Sequence, residues 1–480
     1  MNRYFLAIDI GASSGRHMLG WMEDGKMKLK EMHRFENRQV MKNGHLCWDL
    51  ENLWTGVVEG LKACKNEDMI PETIGIDTWA VDFVLLDDKD EIIGDAVAYR
   101  DERTKGMDSE VFSIIPEKEL YAKCGIQKQP FNTIYQLMAA KKDIPEALQA
   151  AKTFLMLPDY LNFRLTGVKK QEYTNATSTN LVNAKTKAWD MELIDRLGLP
   201  AGLFGELSQP GTVVGELCEA IVKEVGFTSK VILPATHDTG SAFLAVPARD
   251  ETSVYLSSGT WSLLGVENRE PITTEAARKE NLTNEGGAFG TYRFLKNIMG
   301  LWIIQSVRRE LNGTEYVEGR KSKYATGITY SFPDLIAEAR AAEGFETVLD
   351  VNDESFLSPV SMIDAIKHYC ADHDKAVPET VGEIMQCVYK GLSQCYADTV
   401  KQISEITGKE ITGINIIGGG CQDGYLNELT AKATGLPVYA GPIEGTAIGN
   451  LVIQMINAGL FSDLAQARDC IFKSFSIEEF

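Results

Sequence analysis

The chain has 480 residues, which is too long for one ordinary hydrophobic core and predicts two large domains. Hydrophobic residues make up 44% and charged residues 24%, the composition of a soluble globular protein. The formal net charge of −20 argues against binding to nucleic acid or to an anionic membrane, and no apolar run approaches the roughly 20 residues that cross a bilayer. Nine scattered cysteines without a C-x-x-C pair, and an N-terminus unlike a signal peptide, predict free thiols and a cytoplasmic location.

The first segment, "FLAIDIGASSGRHMLGWMEDGKMKL", predicts a strand, a Gly/Ser turn and a second strand. In "DIGASSGR", residues 9–16, two glycines allow close approach to a ligand, and the residues between them offer N–H and hydroxyl donors. Such a turn can hold phosphate oxygens, and Asp9 at the strand end can reach a divalent cation through water. An ordinary hairpin explains the turn equally well, and the chain contains no P-loop sequence.

Further along, "TIGIDTWAVDFVLLD" predicts buried strands around a turn, and "LPATHDTGSAF", residues 233–243, predicts a strand followed by a helix of small residues. A helix N-cap requires a short polar residue at this place, so capping alone explains Asp238 or Thr239. A carboxylate at a helix N-terminus in a cleft can also accept a hydroxyl proton. His237 is interpreted as a structural hydrogen-bonding residue rather than as the base.

The segment "SVYLSSGTWSLLGVENREPI" repeats the layout of the first hairpin about 250 residues later. Two such hairpins, with alternating helices and strands around them, predict two related α/β domains. The polar stretch "VPARDETS" precedes the second hairpin, so we place the boundary there, with an N-terminal domain at 1–245 and a C-terminal domain at 246–480. In the second domain, "IIGGGCQDGYLNELTAKATG" predicts a strand, a glycine turn and a helix, against which an adenosine or a phosphate can lie.

These segments resemble the FGGY family of sugar kinases, whose two domains have an actin-like, ribonuclease-H-type core. The resemblance is carried by "DIGASSGR", "ATHDTGSA", "SSGTWSL" and "IIGGGCQ…LNELTAKATGLPVYAGPIEGTAIGN", and it spans nearly the whole chain. The blocks "GIDTWAVDFVLLD", "MLPDYLNFRLTG" and "NLTNEGGAFGTYRFLKNIMGLW" are similar, in the same order, to members that phosphorylate L-rhamnulose. The resemblance implies an ATP and sugar cleft between the two domains.

The resemblance also implies a role for each of several residues. Asp238 is expected to be the base that deprotonates the 1-hydroxyl of L-rhamnulose. The ATP contacts are expected at Ala12, Ser13, Ser14, Gly15, Arg16, Thr260, Gln305 and Gly419. The sugar contacts are expected at Ala80, His237, Thr239 and Asn297, and Asp9 is expected to hold Mg²⁺ through water. The expected partners are a small sugar and a nucleotide, without nucleic acid or membrane, for a monomer or homodimer.

One departure weakens the sugar assignment, and two other functions stay open. Ala80 stands where those kinases have glycine, so its methyl group either crowds the sugar or packs against an apolar part of it. One alternative is a kinase for another ketose or deoxyketose, of the fuculose or xylulose type. The other is an actin-like or Hsp70-like nucleotide switch without sugar kinase activity. Such a switch would leave "ATHDTGSA" and "NEGGAFGTYR" unexplained.

Overall fold

The computed structural model describes residues 2–248, 250–314 and 321–480, which form two compact units. Unit 1 comprises Met1–Arg249, Glu267–Leu295 and Glu444–Phe475, and unit 2 comprises Asp250–Val266, Lys296–Ile443 and Ser476–Phe480. The sequence-based division assigned 267–295 and 444–475 to the second domain, and its boundary at residue 245 stays a prediction. The predicted cleft for ATP and sugar also stays a prediction.

The strands of the described residues are numbered in chain order. They are β1 Tyr4–Ile10, β2 Ser14–Glu23, β3 Lys26–Glu36, β4 Gln39–Lys42, β5 His45–Trp48, β6 Pro71–Thr78, β7 Phe83–Leu86, β8 Ile92–Ile93, β9 Thr153–Met156, β10 Gln171–Glu172, β11 Val182–Asn183, β12 Ala188–Trp189, β13 Leu207–Ser208, β14 Val213–Glu216, β15 Lys230–Ile232, β16 Ser253–Ser258, β17 Trp261–Asn268, β18 Thr283–Gly286, β19 Tyr292–Met299, β20 Gly413–Ile417, β21 Val438–Ala440 and β22 Glu478–Glu479.

The α-helices are numbered in the same way. They are α1 Leu50–Asn66, α2 Met107–Ile114, α3 Glu117–Cys124, α4 Thr133–Asp143, α5 Pro145–Ala150, α6 Leu157–Thr166, α7 Tyr173–Ala176, α8 Met191–Arg196, α9 Glu219–Val225, α10 Asp238–Leu244, α11 Glu275–Lys279, α12 Trp302–Leu311, α13 Phe332–Ala341, α14 Met362–Asp372, α15 Val381–Thr407, α16 Gly424–Thr434, α17 Gly445–Asn457 and α18 Leu464–Ser474. In the part of the chain that the structure describes, no helix combines the length and the hydrophobicity needed to cross a membrane.

Each unit is built on a mixed sheet, and four central strands have the same arrangement in both, β3-β2-β1-β6 in one and β19-β17-β16-β20 in the other. In unit 1 the full order is β14-β15-β6-β1-β2-β3, where β1 is antiparallel to β2 and parallel to β6. The other sheet has the order β18-β19-β17-β16-β20-β21-β22, where β16 is antiparallel to β17 and parallel to β20. Both predicted hairpins therefore form, and the predicted class of two related α/β domains is confirmed.

In unit 1, α17 packs closely on α10 and on the central strands. At Gly449 a side chain is impossible, because an added Cβ would lie 1.7 Å from the carbonyl oxygen of Ser241 in α10. Two side chains that follow Gly449 in α17 bond to the sheet. Asn450 Nδ2 donates to Gly75 O of β6 at 3.1 Å, and Gln454 Nε2 donates to Leu6 O of β1 at 3.0 Å. Glycine at position 449 thus fixes the distance between α17 and the first turn of α10.

We expect Gly449→Ala to lower the free energy of unfolding by about 1–3 kcal/mol or more, because the new methyl group would overlap rigid backbone of α10. Gly202→Ala is the matched control, since nothing lies within 4 Å of the Cβ added there. Midpoints of thermal unfolding for both variants beside the wild type measure the effect. Equal midpoints for all three proteins would contradict the close packing of α10 and α17.

Candidate active site

Asp238 is the first residue of α10, and His237 is the N-cap of that helix. The carboxylate is therefore not the cap itself; it accepts a hydrogen bond from the backbone N–H of Thr239 at 2.6 Å. About 25% of the Asp238 side chain is exposed. Burial, with the charge of Asp9 in addition, raises the pKa of Asp238 to about 7. A carboxylate with a near-neutral pKa on an accessible edge is suited to accept a hydroxyl proton.

Two further carboxylates lie at the ends of adjacent parallel strands, because Asp9 of β1 pairs in register with Asp77 of β6. Asp77 is 0% exposed; one oxygen accepts from Asn450 Nδ2 at 2.6 Å, and the other has no hydrogen-bond partner among the described residues. Burial and the nearby charge of Asp9 raise the pKa of Asp77 well above its usual value. Asp9 accepts from Arg16 Nη2 at 2.8 Å. Together with Asp238, these groups form a region of acidic side chains.

This region suits a divalent cation held largely by water and phosphate. Among the described residues, no group of three or more His, Cys, Asp or Glu side chains is arranged to bind a metal ion directly. Mg²⁺ usually keeps several waters and takes one or two carboxylates plus substrate phosphates. Burial, and after it the charge of Asp9, raises the pKa values of Asp77 and Asp238, and a cation near Asp9 would offset the part that comes from charge.

The turn between β1 and β2 presents free backbone donors. Gly11 N–H donates to Ser14 O at 2.9 Å, and Asn37 holds the turn from the other side by donating to Ser13 O and Gly11 O. Within the described part of the chain, the N–H groups of Ala12 and Ser13 have no acceptor. An anion can therefore bind them.

Gly15 and Arg16, on β2 just after this turn, contact other residues of unit 1. An added Cβ at Gly15 would lie 2.2 Å from the ring of Phe35, so this glycine is needed for packing within the sheet. Arg16 bridges two carboxylates, since its Nη1 donates to Glu444 Oε2 at 2.5 Å while Nη2 bonds Asp9. Its guanidinium keeps positive charge beside the turn.

His237 lies in a buried polar network rather than at a free edge. Its Nδ1 is 3.0 Å from Nη2 of Arg293, and its Nε2 is 3.0 Å from Oγ1 of Thr239. Burial and the positive charge of Arg293 lower the pKa of His237 well below its usual value. Both ring nitrogens are engaged within the protein and the ring resists protonation, so His237 is not suited to be the base.

Ala80 lies in a strained loop after β6. The next residue, Val81, has φ = 68°, which is rare for a β-branched side chain, and Ser178, Thr133 and Gln136 hold its backbone. Strand β6 reaches the segment before Asp238 through the pairing of Thr78 with His237. The loop at Ala80 therefore follows directly on the strand that contacts the Asp238 segment.

The indole of Trp79 is part of a buried aromatic cluster beside this loop. Its ring lies 4.1 Å from that of Trp48, centroid to centroid, and both indole N–H groups donate to Oδ2 of Asp82, at 2.9 and 2.6 Å. Gln136 donates to the other oxygen of Asp82. Because the polar edges of both rings are satisfied within the protein, Trp79 has the contacts of a core residue.

Unit 2 brings together three of the predicted ATP residues. Trp302 N–H, at the start of α12, donates to Thr260 O at 3.1 Å, and Gln305 is one turn further along that helix. The glycine turn after β20 touches the same hairpin, because an added Cβ at Gly418 would lie 2.9 Å from Ser258 O. At Gly419 an added Cβ meets open space. Asn297, predicted to contact sugar, lies on the part of β19 that belongs to unit 2.

The sequence did not identify several residues of this site. Arg293 and Glu285 lie inside the block "NLTNEGGAFGTYRFLKNIMGLW", which was noticed without a role for either residue. Asn450 and Glu444 come from α17 and the residue before it, far along the chain. A charged residue in an otherwise apolar, strand-like run, as Arg293 is, was the one available signal.

Comparison with known proteins agrees with this geometry. The FGGY family of carbohydrate kinases, N-terminal domain, matches residues 4–245, and the C-terminal domain of that family matches residues 254–458. The chain belongs to the FGGY family of carbohydrate kinases. This membership implies a nucleotide phosphoryl donor, ATP, and a sugar as substrates.

The relatives and the solved structures agree on the family and the fold. A rhamnulokinase of Oceanobacillus iheyensis is 47% identical over 477 residues, 99% of this chain and 98% of that protein. A rhamnulokinase of Halalkalibacterium halodurans is 48% identical over the same shares. The structure of gluconate kinase from Lactobacillus acidophilus has a TM-score of 0.78 at 19% identity, covering 100% of this chain and 93% of that one. Plasmodium falciparum glycerol kinase with ADP has a TM-score of 0.74 at 15% identity, covering 99% and 94%.

We expect kinase activity to depend on pH through the ionisation of Asp238. A base acts when deprotonated, so kcat/KM for sugar should fall about tenfold per pH unit below the pKa. The pKa of Asp238 is about 7 without a cation near Asp9. A bound Mg²⁺ would offset the charge of Asp9, so the fall in kcat/KM should begin at or below pH 7 when MgATP is bound. Rates and circular dichroism between about pH 5 and 9 separate this effect from unfolding. A rate that stays level across that range would assign the proton to another acceptor.

Proposed function

We propose that the chain transfers the γ-phosphoryl group of ATP to the 1-hydroxyl group of L-rhamnulose, giving L-rhamnulose 1-phosphate and ADP. The sugar assignment rests on relatives named rhamnulokinase that align along 99% of the chain. The observation that carries the chemistry is Asp238, a partly exposed carboxyl with a near-neutral pKa at the start of α10. A nucleotide switch without kinase activity is not favoured, because carbohydrate kinase models match most of the chain.

In this proposal Asp238 accepts the proton of the sugar 1-hydroxyl as that oxygen bonds to the γ-phosphorus. The bond between the γ-phosphorus and the β,γ-bridging oxygen breaks, and ADP leaves with the electron pair. Phosphoryl transfer of this kind depends mainly on positioning and on stabilising charge, so one well-placed base suffices on the protein side. His237 is excluded from this role because its Nδ1 faces the Arg293 guanidinium and its ring stays neutral.

For ATP, we propose that the phosphates bind the N–H groups and hydroxyls of the turn between β1 and β2, next to Arg16. Thr260, Gln305 and Gly419 of unit 2 contact the remainder of the nucleotide, a role supported by their proximity within that unit. Asp9 holds Mg²⁺ through water. When bound, Mg²⁺ neutralises phosphate charge, which this chain of net charge −20 otherwise disfavours.

For the sugar, we propose contacts at Ala80, His237, Thr239 and Asn297. The strained backbone at Val81 fixes the loop that presents Ala80. The methyl group of Ala80 suits a deoxy sugar, because it can pack against a 6-methyl group. The cytoplasmic location and the monomer or homodimer state stay predictions.

The first test is ADP release at fixed MgATP with L-rhamnulose, L-fuculose, D-xylulose, L-ribulose or glycerol. We expect L-rhamnulose to be strongly preferred, and Asp238→Asn to lose about 10²–10⁴-fold in turnover with the fold intact, because the amide cannot accept the proton. Asp463→Asn is the control, an exposed aspartate that caps α18 and should keep full turnover. A preference for another ketose would change the substrate assignment. Retained turnover in Asp238→Asn would show that Asp238 is not the base.

A second variant tests the nucleotide contacts of unit 2. In Gly419→Val the side chain would enter open space after β20, so the KM for ATP should rise at least about tenfold and the KM for sugar much less. Gly344→Val is the matched control, since a Cβ added there also meets open space in unit 2 but outside the predicted site. An unchanged KM for ATP in Gly419→Val would remove this turn from the nucleotide site.

A further inference from the structure

The guanidinium of Arg293 lies at the centre of the network behind Asp238. Arg293 is 0% exposed, and its Nε donates to Gly286 O at 3.1 Å. Nη1 donates to Thr239 Oγ1 at 2.7 Å and is 3.1 Å from Glu285 Oε2. Nη2 is 3.0 Å from His237 Nδ1. One buried cation thus contacts the two residues on either side of the proposed base.

These contacts determine which nitrogen of His237 carries the proton. A guanidinium only donates hydrogen bonds and does not lose its charge in proteins, so the Nδ1 atom of His237 must be the acceptor. The ring is neutral, because burial and Arg293 both disfavour a second proton. The single ring proton is therefore on Nε2, which donates to Thr239 Oγ1 at 3.0 Å.

Glu285 offers a competing arrangement for the Nδ1 atom of His237. Its Oε2 atom is 3.4 Å from His237 Nδ1, within reach of a weak bond from an Nδ1–H group. That tautomer would direct the Nδ1 hydrogen at the N–H of Arg293 only 3.0 Å away. The shorter contact, to an obligate donor, favours the Nε2–H tautomer.

The consequence falls on the hydroxyl of Thr239. Its oxygen accepts from Arg293 Nη1 and from His237 Nε2, which occupies both lone pairs. The hydroxyl hydrogen must then be donated outside this network. Thr239 directly follows Asp238 in the first turn of α10 and is 8% exposed, so the donor lies beside the proposed base.

We propose that Arg293, neutralised by Glu285, is a positioning residue that fixes His237 as the Nε2–H tautomer and makes the Thr239 hydroxyl an obligate donor to an oxygen of the sugar. The sugar part rests on the proposed function, whereas the tautomer does not. His237 then acts on the sugar through Thr239 and makes no hydrogen bond to it, because both of its nitrogens are already used.

The tautomer can be read directly in the ligand-free full chain. Two-bond ¹H–¹⁵N spectra of protein with ¹⁵N-labelled histidine resolve the ring nitrogens, and His237 among the six histidines is assigned by its loss in His237→Asn. We expect an unprotonated Nδ1 and a protonated Nε2 near neutral pH. A protonated Nδ1, whether as the other tautomer or as imidazolium, would overturn the proposal in the wild type, without any variant that must fold.

A paired variant tests whether Arg293 sets this tautomer. Arg293→Gln with Glu285→Gln removes both buried charges together, so neither is left unpaired. Glutamine both donates and accepts, so we expect a mixture of His237 tautomers in the folded double variant. A folded double variant with the wild-type tautomer alone would show that Arg293 does not set it.

The hydroxyl is tested by Thr239→Val, which keeps the shape and removes the hydroxyl both as donor and as acceptor for Arg293 and His237, beside Thr239→Ser, which keeps both. With L-rhamnulose we expect Thr239→Val to lose about tenfold or more in kcat/KM for sugar with the KM for ATP unchanged, and Thr239→Ser to stay within about threefold of the wild type. Calorimetry with L-rhamnulose checks the binding. Equal sugar affinity in Thr239→Val and the wild type would overturn the donor role. If the wild type prefers another sugar, these measurements use that sugar, and the nitrogen spectra decide the tautomer independently.

Discussion

The site of unit 1 depends on holding buried carboxylates at the ends of two parallel strands. The register of β1 and β6 places Asp9 beside Asp77, and two like charges there repel each other unless partners offset them. Arg16 supplies a cation to Asp9, while Asn450 of α17 supplies a hydrogen-bond donor to Asp77. Helix α17 packs against α10 at Gly449, where no side chain fits. This one contact therefore positions both Asn450, which bonds to Asp77 at the end of β6, and the first turn of α10, which carries the proposed base.

The same electrostatics distinguish two adjacent residues that both carry acid–base groups. Burial, with the charge of Asp9 in addition, raises the pKa of Asp238, so this carboxyl binds a proton readily near neutral pH. Burial, with the charge of Arg293 in addition, lowers the pKa of His237, so the ring stays neutral. Burial disfavours the charged form of both groups, which moves their pKa values in opposite directions, and charges from other segments add to each shift. In the proposed reaction the carboxyl group accepts the proton, and the imidazole helps to position the Thr239 hydroxyl.

The parts of the fold that follow from local pattern could be predicted from sequence. Both hairpins, the glycine turn after β20 and the helix beginning at Asp238 form where apolar runs and turn residues indicate them, although the N-cap is His237 rather than Asp238 or Thr239. The remainder depends on pairings between distant segments, which no local pattern contains. Arg293 reaches His237 across 56 positions and Asn450 reaches Asp77 across 373. Gly15 shows a second cause for a motif residue, since packing against Phe35 also requires glycine there, while its predicted ligand contact stays a prediction.

The shared arrangement of the four central strands makes the different chemistry of the two units informative. In unit 1 the next-to-last residue of β1 is Asp9, opposite Arg16 on β2 and Asp77 on β6. The corresponding position of unit 2 is Ser257, opposite Leu263 on β17 and Ile417 on β20. A group at such a strand end in unit 1 meets fixed charges that suit proton transfer and a cation. In unit 2 it meets uncharged side chains and the open space at Gly419, which suit a ligand recognised by shape and backbone. The two units therefore share their central strands, and the charged residues of the proposed reaction are concentrated in unit 1.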